Sequence, residues 1–153
     1  MIAGPFLKAV CEINVQLGEV RDHGVTRDGH RRMTPILGGS IQGLAGSDFA
    51  VLQAAILPGG GDRQLLRSDG EGGQTIEIDA RYDARTASGS ILSLHANGVR
   101  HVPVSGAACS VIFRVAIRFE TSDPAFTHLQ NALHIADGVR EADLVRHTVY
   151  RVE

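Results

Sequence analysis

The chain has 153 residues, 43% of them hydrophobic, and its 17 acidic and 15 basic side chains leave a formal net charge of −2. This balance provides no positive surface for nucleic acid or an anionic membrane, and no apolar run approaches the roughly 20 residues that a membrane span needs. We therefore expect a single domain over residues 1–153 without either kind of partner. The absence of a signal-peptide pattern at the N-terminus favours a cytoplasmic location.

The first half of the chain contains short stretches of strand-like sequence separated by glycine-rich or polar turns. Apolar and polar side chains alternate, or apolar ones run together, in four predicted strands: 6–17, 35–43, 49–57 and 63–67. Residues 19–32 are polar and are predicted to form turns. Gly38 and Gly39 lie inside the second strand and indicate a bulge or a barrel bend.

The clearest strand is residues 74–86, in which charged and apolar side chains alternate throughout. Residues 87–89, Ala-Ser-Gly, fit a three-residue hairpin loop, and the next strand is predicted at 90–97. This loop sets Arg81 opposite His95. In that register polar side chains face polar ones and apolar face apolar, whereas a slip of one residue would break both matches.

Two more strands and one helix complete the prediction. Alternation predicts strands at 109–120 and 145–152, and Ser122-Asp123-Pro124 is typical of a helix start, since proline favours the first helical position. The pattern indicates one short helix near 123–133. This inventory favours an all-β protein, a single closed antiparallel β-barrel of about nine to ten strands, because closure removes exposed sheet edges.

The cysteines and histidines show no metal-binding spacing. Cys11 and Cys109 each fall on the apolar face of a predicted strand and are expected to be buried thiols, with a disulfide between them left open. The seven histidines include no His-x-His or His-x₃-His pair. We therefore expect no metal and no cofactor, and interpret residues such as His134 and His147 as surface or hydrogen-bonded core histidines.

Several segments, taken in order, resemble a known family. They are Leu57-Pro58-Gly59-Gly60-Gly61-Asp62-Arg63-Gln64, Asp79-Ala80-Arg81-Tyr82, Gly98-Val99-Arg100-His101, Phe113-Arg114, Arg118-Phe119-Glu120-Thr121 and Val149-Tyr150-Arg151-Val152. The set is similar to the bacterial and fungal family known as domain of unknown function 3237. The resemblance implies a lipocalin-like barrel with a central cavity, often oligomeric, and no established reaction. Ser93 and Ala96 stand where Tyr and Asn are more usual, which predicts a different pocket chemistry.

One polar patch on the paired strands is the best candidate for chemistry. We predict Asp79 and His95 as catalytic residues, because a carboxylate beside an imidazole orients it and raises its basicity. The predicted substrate-binding residues are Arg81, Asn97, Arg114 and Glu120. The alternative is a solvent-facing ladder of ion pairs, since alternation alone does not tell which face of a strand points inward.

These observations predict a small-molecule-binding barrel and leave its activity open. The first hypothesis is a cofactor-free isomerase, lyase or cyclase that encloses a small organic acid, lactone or aromatic, polyketide-like substrate and moves protons on it. The second is a ligand carrier or sensor. The third is an oligomeric scaffold with a packed interior. Asp62 and Gln64, beside the glycine-rich turn, lie where they could reach the mouth of the barrel.

Overall fold

A computed structural model describes residues 3–153 and shows one antiparallel ten-stranded sheet. Its strands are β1 Leu7–Leu17, β2 Arg21–Thr26, β3 Gly29–Gly43, β4 Gln53–Ile56, β5 Gly60–Ser68, β6 Gln74–Thr86, β7 Ile91–Val102, β8 Ile112–Thr121, β9 His134–Glu141 and β10 Leu144–Val152. A 3₁₀ turn, Thr127–Asn131, precedes β9. No helix within the described residues is long and apolar enough to cross a bilayer.

Eight of the strands close into a barrel. Going round, β1 pairs with β10, and β9, β8, β7, β6, β5 and β3 follow, after which β3 pairs with β1 again. β2 pairs with β3, and β4 bridges β3 and β6 beside β5. The predicted closed antiparallel barrel is therefore confirmed. Its eight-stranded closure leaves an interior wide enough for side chains or for one small ligand.

The hairpin of β6 and β7 has the predicted register. Arg81 pairs with His95 and Tyr82 with Leu94, and Gly89 takes the positive φ of 94° that the loop requires. The apolar set of β6 is buried inside the barrel, and the charged set faces outward. Hydrophobic burial of one complete face explains why this register holds.

Glycines allow β1 and β3 to close the barrel. The pairing shifts register between Gln16 and Leu17, where β3 has an extra residue, Leu37, directly before Gly38 and Gly39. Gly39 has a φ of 137°, and a Cβ there would lie 1.9 Å from the backbone oxygen of Asn14. The predicted bulge is present, and the close approach of the two backbones requires glycine.

The end of the barrel at which β8 finishes and β9 begins is covered by a turn. We expected a strand over 49–57, but only Gln53–Ile56 is one. Phe49 instead leaves the sheet and packs edge-on against Phe119 and His134, with ring centroids 5.7 and 5.3 Å away. A buried aromatic thus forms the floor of the barrel, which the apolar sequence alone did not distinguish from a strand.

The helix predicted near 123–133 is reduced to the 3₁₀ turn. The backbone N–H of Ala125 donates to Asp123 Oδ1, and that of Phe126 to the Asp123 carbonyl, so the segment turns tightly. Phe126 and Leu129 are buried beside the floor, whereas Leu133 is exposed. The helical spacing held for one turn, which is all that the barrel end accommodates.

Two strands have no clear signal in the sequence. β2 lies in the segment predicted to form turns, and β9 carries a mixed pattern of polar and apolar residues. Both are defined by backbone pairing with their neighbours, β2 with β3 and β9 with β8 and β10. Their side chains did not reveal them because pairing partners, and not burial of one face, hold them in place.

The cysteines have different environments. A bulge at Val10 turns both Val10 and Cys11 inward, and burial raises the pKa of the Cys11 thiol to about 12. Cys109 is exposed, because β8 begins only at Ile112. The prediction that Cys109 is buried was therefore wrong. Both thiols are free.

His134 links the stability of the floor to pH. Its ring is buried between Phe49 and Phe119, and neither ring nitrogen has a hydrogen-bond partner within residues 3–153. Burial lowers its pKa from 6.5 to about 4. The unfolded chain thus binds a proton at a higher pH than the folded chain, so the free energy of unfolding falls as pH drops from about 6.5 to about 4.

We predict that His134→Leu weakens this acid sensitivity. The substitution removes a side chain that folds only in its neutral form, so the variant should lose less stability between pH 7 and pH 4, by on the order of 2 kcal/mol. Urea unfolding at both pH values measures the difference. His23→Leu, at an exposed position of β2, is the control, and an equal effect there would contradict the assignment.

We also predict that Gly39→Ala disrupts barrel closure. The new methyl group would overlap the Asn14 backbone, which should destabilise the fold by about 4 kcal/mol or more. Gly59→Ala is the matched control, because Gly59 also has a positive φ of 109° but has no atom within 4 Å of the added Cβ. It should cost only about 1–2 kcal/mol of strain. Equal unfolding midpoints for the two variants would refute the close approach as the cause.

Candidate functional site

The barrel interior contains a cavity at the end opposite Phe49. It lies where β8 begins and β9 ends, beside Phe113 and Arg140. The cavity has a volume of about 40 Å³. This volume corresponds to about three water molecules, so the site suits a compact ligand. Much of its wall is apolar, including Ile78 and Val145.

A buried carboxylate is the central polar group of this cavity. The alternation of β5 turns Asp62 and Gln64 inward, and both are buried. Gln64 Nε2 donates to Asp62 Oδ2 at 2.8 Å, and Arg32 Nε donates to Gln64 Oε1 at 2.7 Å. Asp62 Oδ1 accepts the backbone N–H of Asp79 at 2.9 Å. The carboxylate is thus held in one orientation from both sides.

The environment of Asp62 makes its carboxyl harder to ionise. Burial raises the pKa of this carboxyl above its ordinary value, and the nearby charge of Asp79 acts in the same direction. The hydrogen bonds from Gln64 and from the Asp79 backbone oppose the shift, but burial is the larger effect. A carboxyl with a raised pKa is a stronger base when ionised and a usable acid when protonated.

Three polar atoms around the cavity lack a hydrogen-bond partner within residues 3–153. They are Tyr82 Oη, Arg100 Nε and His147 Nδ1. Buried polar atoms are normally satisfied, because an unmade hydrogen bond costs about 1–3 kcal/mol. Three such atoms around one space are the arrangement expected of a binding site whose partner is a ligand or solvent.

His147 is held in its neutral form. It packs edge-on against Phe113 with ring centroids 5.3 Å apart. Burial lowers its pKa to about 4, although a hydrogen bond with the Asp137 backbone partly opposes the shift. At neutral pH the imidazole is therefore uncharged, and its unpartnered Nδ1 is free to form a hydrogen bond in the cavity. His147 is thus a core histidine, one of the two expected alternatives, and its Nδ1 atom is left without a partner within residues 3–153.

The predicted catalytic pair lies on the outer surface of the barrel. His95 Nε2 is 2.8 Å from Asp79 Oδ1, and Arg81 Nε is 3.7 Å from the same oxygen. Asn97 pairs directly with Asp79 across the strands. These four residues form one patch, as predicted, which we call the outer patch. They do not line the cavity, because their strand neighbours fill the interior.

The other two predicted residues are only loosely connected with the outer patch. Glu120 is on the outer face of β8 and shares a shallow surface groove with Arg81 and His95. Arg114 is six residues away along the same strand, about 20 Å, and pairs with Asp137 at 2.8 Å. Glu120 therefore lies at the rim of the outer patch, whereas Arg114 lies outside it. Whether any of these residues serves a ligand stays a prediction.

Asp62 and Gln64 line the cavity, as their position beside the turn suggested, but Arg100 and Arg140 were missed because near the mouth polar side chains take inward positions. On β7, Leu94 and Ala96 point inward, and Arg100 also takes an inward position farther along the strand. The apolar Val99 beside it points outward and is 40% exposed. On β9, Arg140 lines the cavity while Val139 is exposed. The predicted strand at 90–97 ended before Arg100, and no strand was predicted around Arg140. A short inversion of the apolar-in, polar-out pattern at a strand end is the signal that could have found them.

Metal ligands do not converge in the described part of the chain. No group of three or more His, Cys, Asp or Glu side chains within residues 3–153 has a metal-binding arrangement. The side chains around the cavity are a carboxyl, an amide, a phenol, an imidazole and two guanidinium groups. This set can bind oxyanions and move protons.

The fold and the site define a closed β-barrel with a polar cavity at one end. The chain belongs to the family described as proteins of unknown function, DUF3237, whose model matches residues 5–152. It is 31% identical to a UPF0311 protein of Rhodopseudomonas palustris strain TIE-1 over 155 residues, or 95% of each chain. A UPF0311 protein of Bradyrhizobium diazoefficiens is 30% identical, again over 95% of each chain. The resemblance seen in the sequence is thus confirmed.

Solved structures share the architecture. A conserved protein of unknown function from Rhodopseudomonas palustris is 30% identical with a TM-score of 0.85, covering 99% of this chain and 100% of that one. A β-barrel-like protein from Acinetobacter baumannii is 25% identical with a TM-score of 0.85, covering 100% and 99%. A protein described as an enzyme from Penicillium herquei has 18% identity and a TM-score of 0.73, covering 100% and 98%. This last likeness shows the fold alone.

Proposed function

We propose that the cavity binds a small organic molecule and that Asp62 transfers a proton on it, which makes the protein a cofactor-free isomerase, lyase or cyclase. The observation that carries the proposal is a buried, oriented carboxyl of raised pKa facing a cavity with three unpartnered polar atoms. Perturbed carboxyls of this kind cluster at functional sites. The substrate classes in question remain a small organic acid, a lactone or a compact aromatic compound.

The chemistry assigns a role to each group. Ionised Asp62 takes a proton from a carbon or hydroxyl of the substrate and returns it at another atom, so that protons balance without a cofactor. Arg100 and Arg140 stabilise the negative charge that develops on the substrate meanwhile. Tyr82 and neutral His147 offer further hydrogen bonds. The apolar wall excludes water and strengthens these interactions.

A neighbour with the same fold is described as an enzyme, which is compatible with this proposal without naming a reaction. A carrier or sensor is the second candidate, because the same cavity would hold a ligand without any proton transfer. A scaffold protein requires a packed interior, and the cavity favours the binding hypotheses over it. Mass spectrometry of gently purified protein, with the native mass compared with the denatured mass, would reveal a retained ligand. It would also test the expected homo-oligomer.

We predict that Asp62→Asn abolishes turnover but not binding. The amide oxygen still accepts the Asp79 N–H, so the fold should persist, whereas proton transfer should slow by about 100-fold or more. The assay is deuterium incorporation from D₂O into a panel of lactones, enones and hydroxyaryl ketones, followed by NMR. Thermal shifts with the same compounds report binding separately.

Variants of the outer patch are the contrast in this experiment. Asp79→Asn and His95→Ala should leave exchange within a few-fold of the wild type if the chemistry is in the cavity. Loss of exchange in these two variants, with Asp62→Asn active, would move the active site to the outer surface. Thermal shifts without exchange in any panel compound would instead favour the carrier.

A further inference from the structure

Three guanidinium groups converge at the mouth of the cavity. Arg32 on β3, Arg100 on β7 and Arg140 on β9 are all half-buried. Burial lowers the pKa of Arg100 and of Arg140; Arg140 and Arg32 lower that of Arg100 further, and Arg32 lowers that of Arg140. Arg100 and Arg140 both line the cavity, and Arg32 is bonded to Gln64 in the cavity wall. Like charges gathered in this way are costly unless an opposite charge joins them.

Asp62 and Asp143 lie near enough to Arg140 to raise its pKa, but neither forms an ion pair with it. Among residues 3–153, no carboxylate oxygen lies within the 4.0 Å of an ion pair from any of the three guanidinium groups. Asp62 is the carboxyl inside the cavity; its oxygens accept hydrogen bonds from Gln64 and the Asp79 backbone, and it forms no ion pair with the three arginines. The mouth therefore has an excess of positive charge.

Donor capacity is also unused there. Arg32 Nε is bonded to Gln64 and Arg140 Nε to the backbone oxygen of Ala142, which orient those two side chains. Arg100 Nε is buried and donates to no atom of the described chain. Arginine pairs most strongly with planar oxyanions, which accept two parallel hydrogen bonds from its fork.

We propose that the cavity is selective for small molecules carrying a carboxylate, which Arg100 and Arg140 bind at the mouth while the apolar part lies against Phe113 and the neighbouring aliphatic wall. This inference rests on the proposed function, because it names the ligand class of the same site. It explains three features together: the excess positive charge, the unpartnered Nε and the apolar wall behind it. A neutral ligand of equal shape would account only for the apolar wall.

The experiment compares each acid with its own amide. Wild-type protein is heated near pH 7, where carboxylic acids are ionised, with propionate or benzoate and, separately, with propionamide or benzamide. We expect at least one acid to raise the melting temperature and its amide to leave it unchanged. Titration calorimetry then gives the dissociation constant of that acid.

Substitutions locate the binding site. Arg100→Gln and Arg140→Gln should each raise the dissociation constant about tenfold or more, as loss of a charge-assisted pair does. Arg118→Gln is the matched control, because Arg118 is exposed on the outer face of β8 and should bind like the wild type. Circular dichroism checks that each variant is folded, and the acid and amide comparison on wild type needs no variant.

Several results would overturn the inference: equal stabilisation by acid and amide, no stabilisation by either acid, or a loss of binding in Arg118→Gln as large as in Arg100→Gln. These outcomes are separate from those that test proton transfer. Acid-selective binding with no effect of Asp62→Asn on any turnover would retain the carboxylate site and remove the proposed reaction. If Asp62-dependent exchange occurred with neutral compounds only, the proposed reaction would be retained and the carboxylate site would be removed.

Discussion

Closure of eight strands into a narrow barrel is the constraint on which the rest of the structure depends. It requires β1 and β3 to pair, which they do from Cys11 to Leu17, and Gly39 allows the two backbones to approach closely beside Asn14. Once closed, the barrel has little interior space, so each inward position is either packed or functional. Phe49 and its neighbours fill one end, and the other end keeps a cavity with polar groups.

The fold follows from the sequence wherever burial is one-sided. The β6 and β7 hairpin, with Arg81 opposite His95, could be derived from alternation and loop length alone. The floor and β9 could not. Phe49 belongs to an apolar run that fits a strand equally well, and β9 is defined by its neighbours more than by its own side chains.

The candidate site was harder to predict, for a related physical reason. Alternation and register correctly place Asp79 and His95 as a contacting pair. They do not tell whether that pair faces the interior of the barrel or the solvent. A cavity locally reverses the rule that polar side chains face water, so Arg100 and Arg140 look like surface residues in the sequence. Asp62 was noticed only because it adjoins a turn. The alternating pattern identifies the barrel, but the residues that form its binding cavity are those that depart from that pattern.

The hairpin strand β2 lies outside the closed barrel, and within residues 3–153 it pairs with β3 alone. Its other edge carries backbone groups to which an extended segment of another chain could add. The strand is only six residues long, a bulge interrupts it between Asp22 and Gly24, and Val25 is its one large apolar residue. Shortness, charge and a bulge are the features that discourage strand addition, so this edge is protected against aggregation although the barrel does not enclose it.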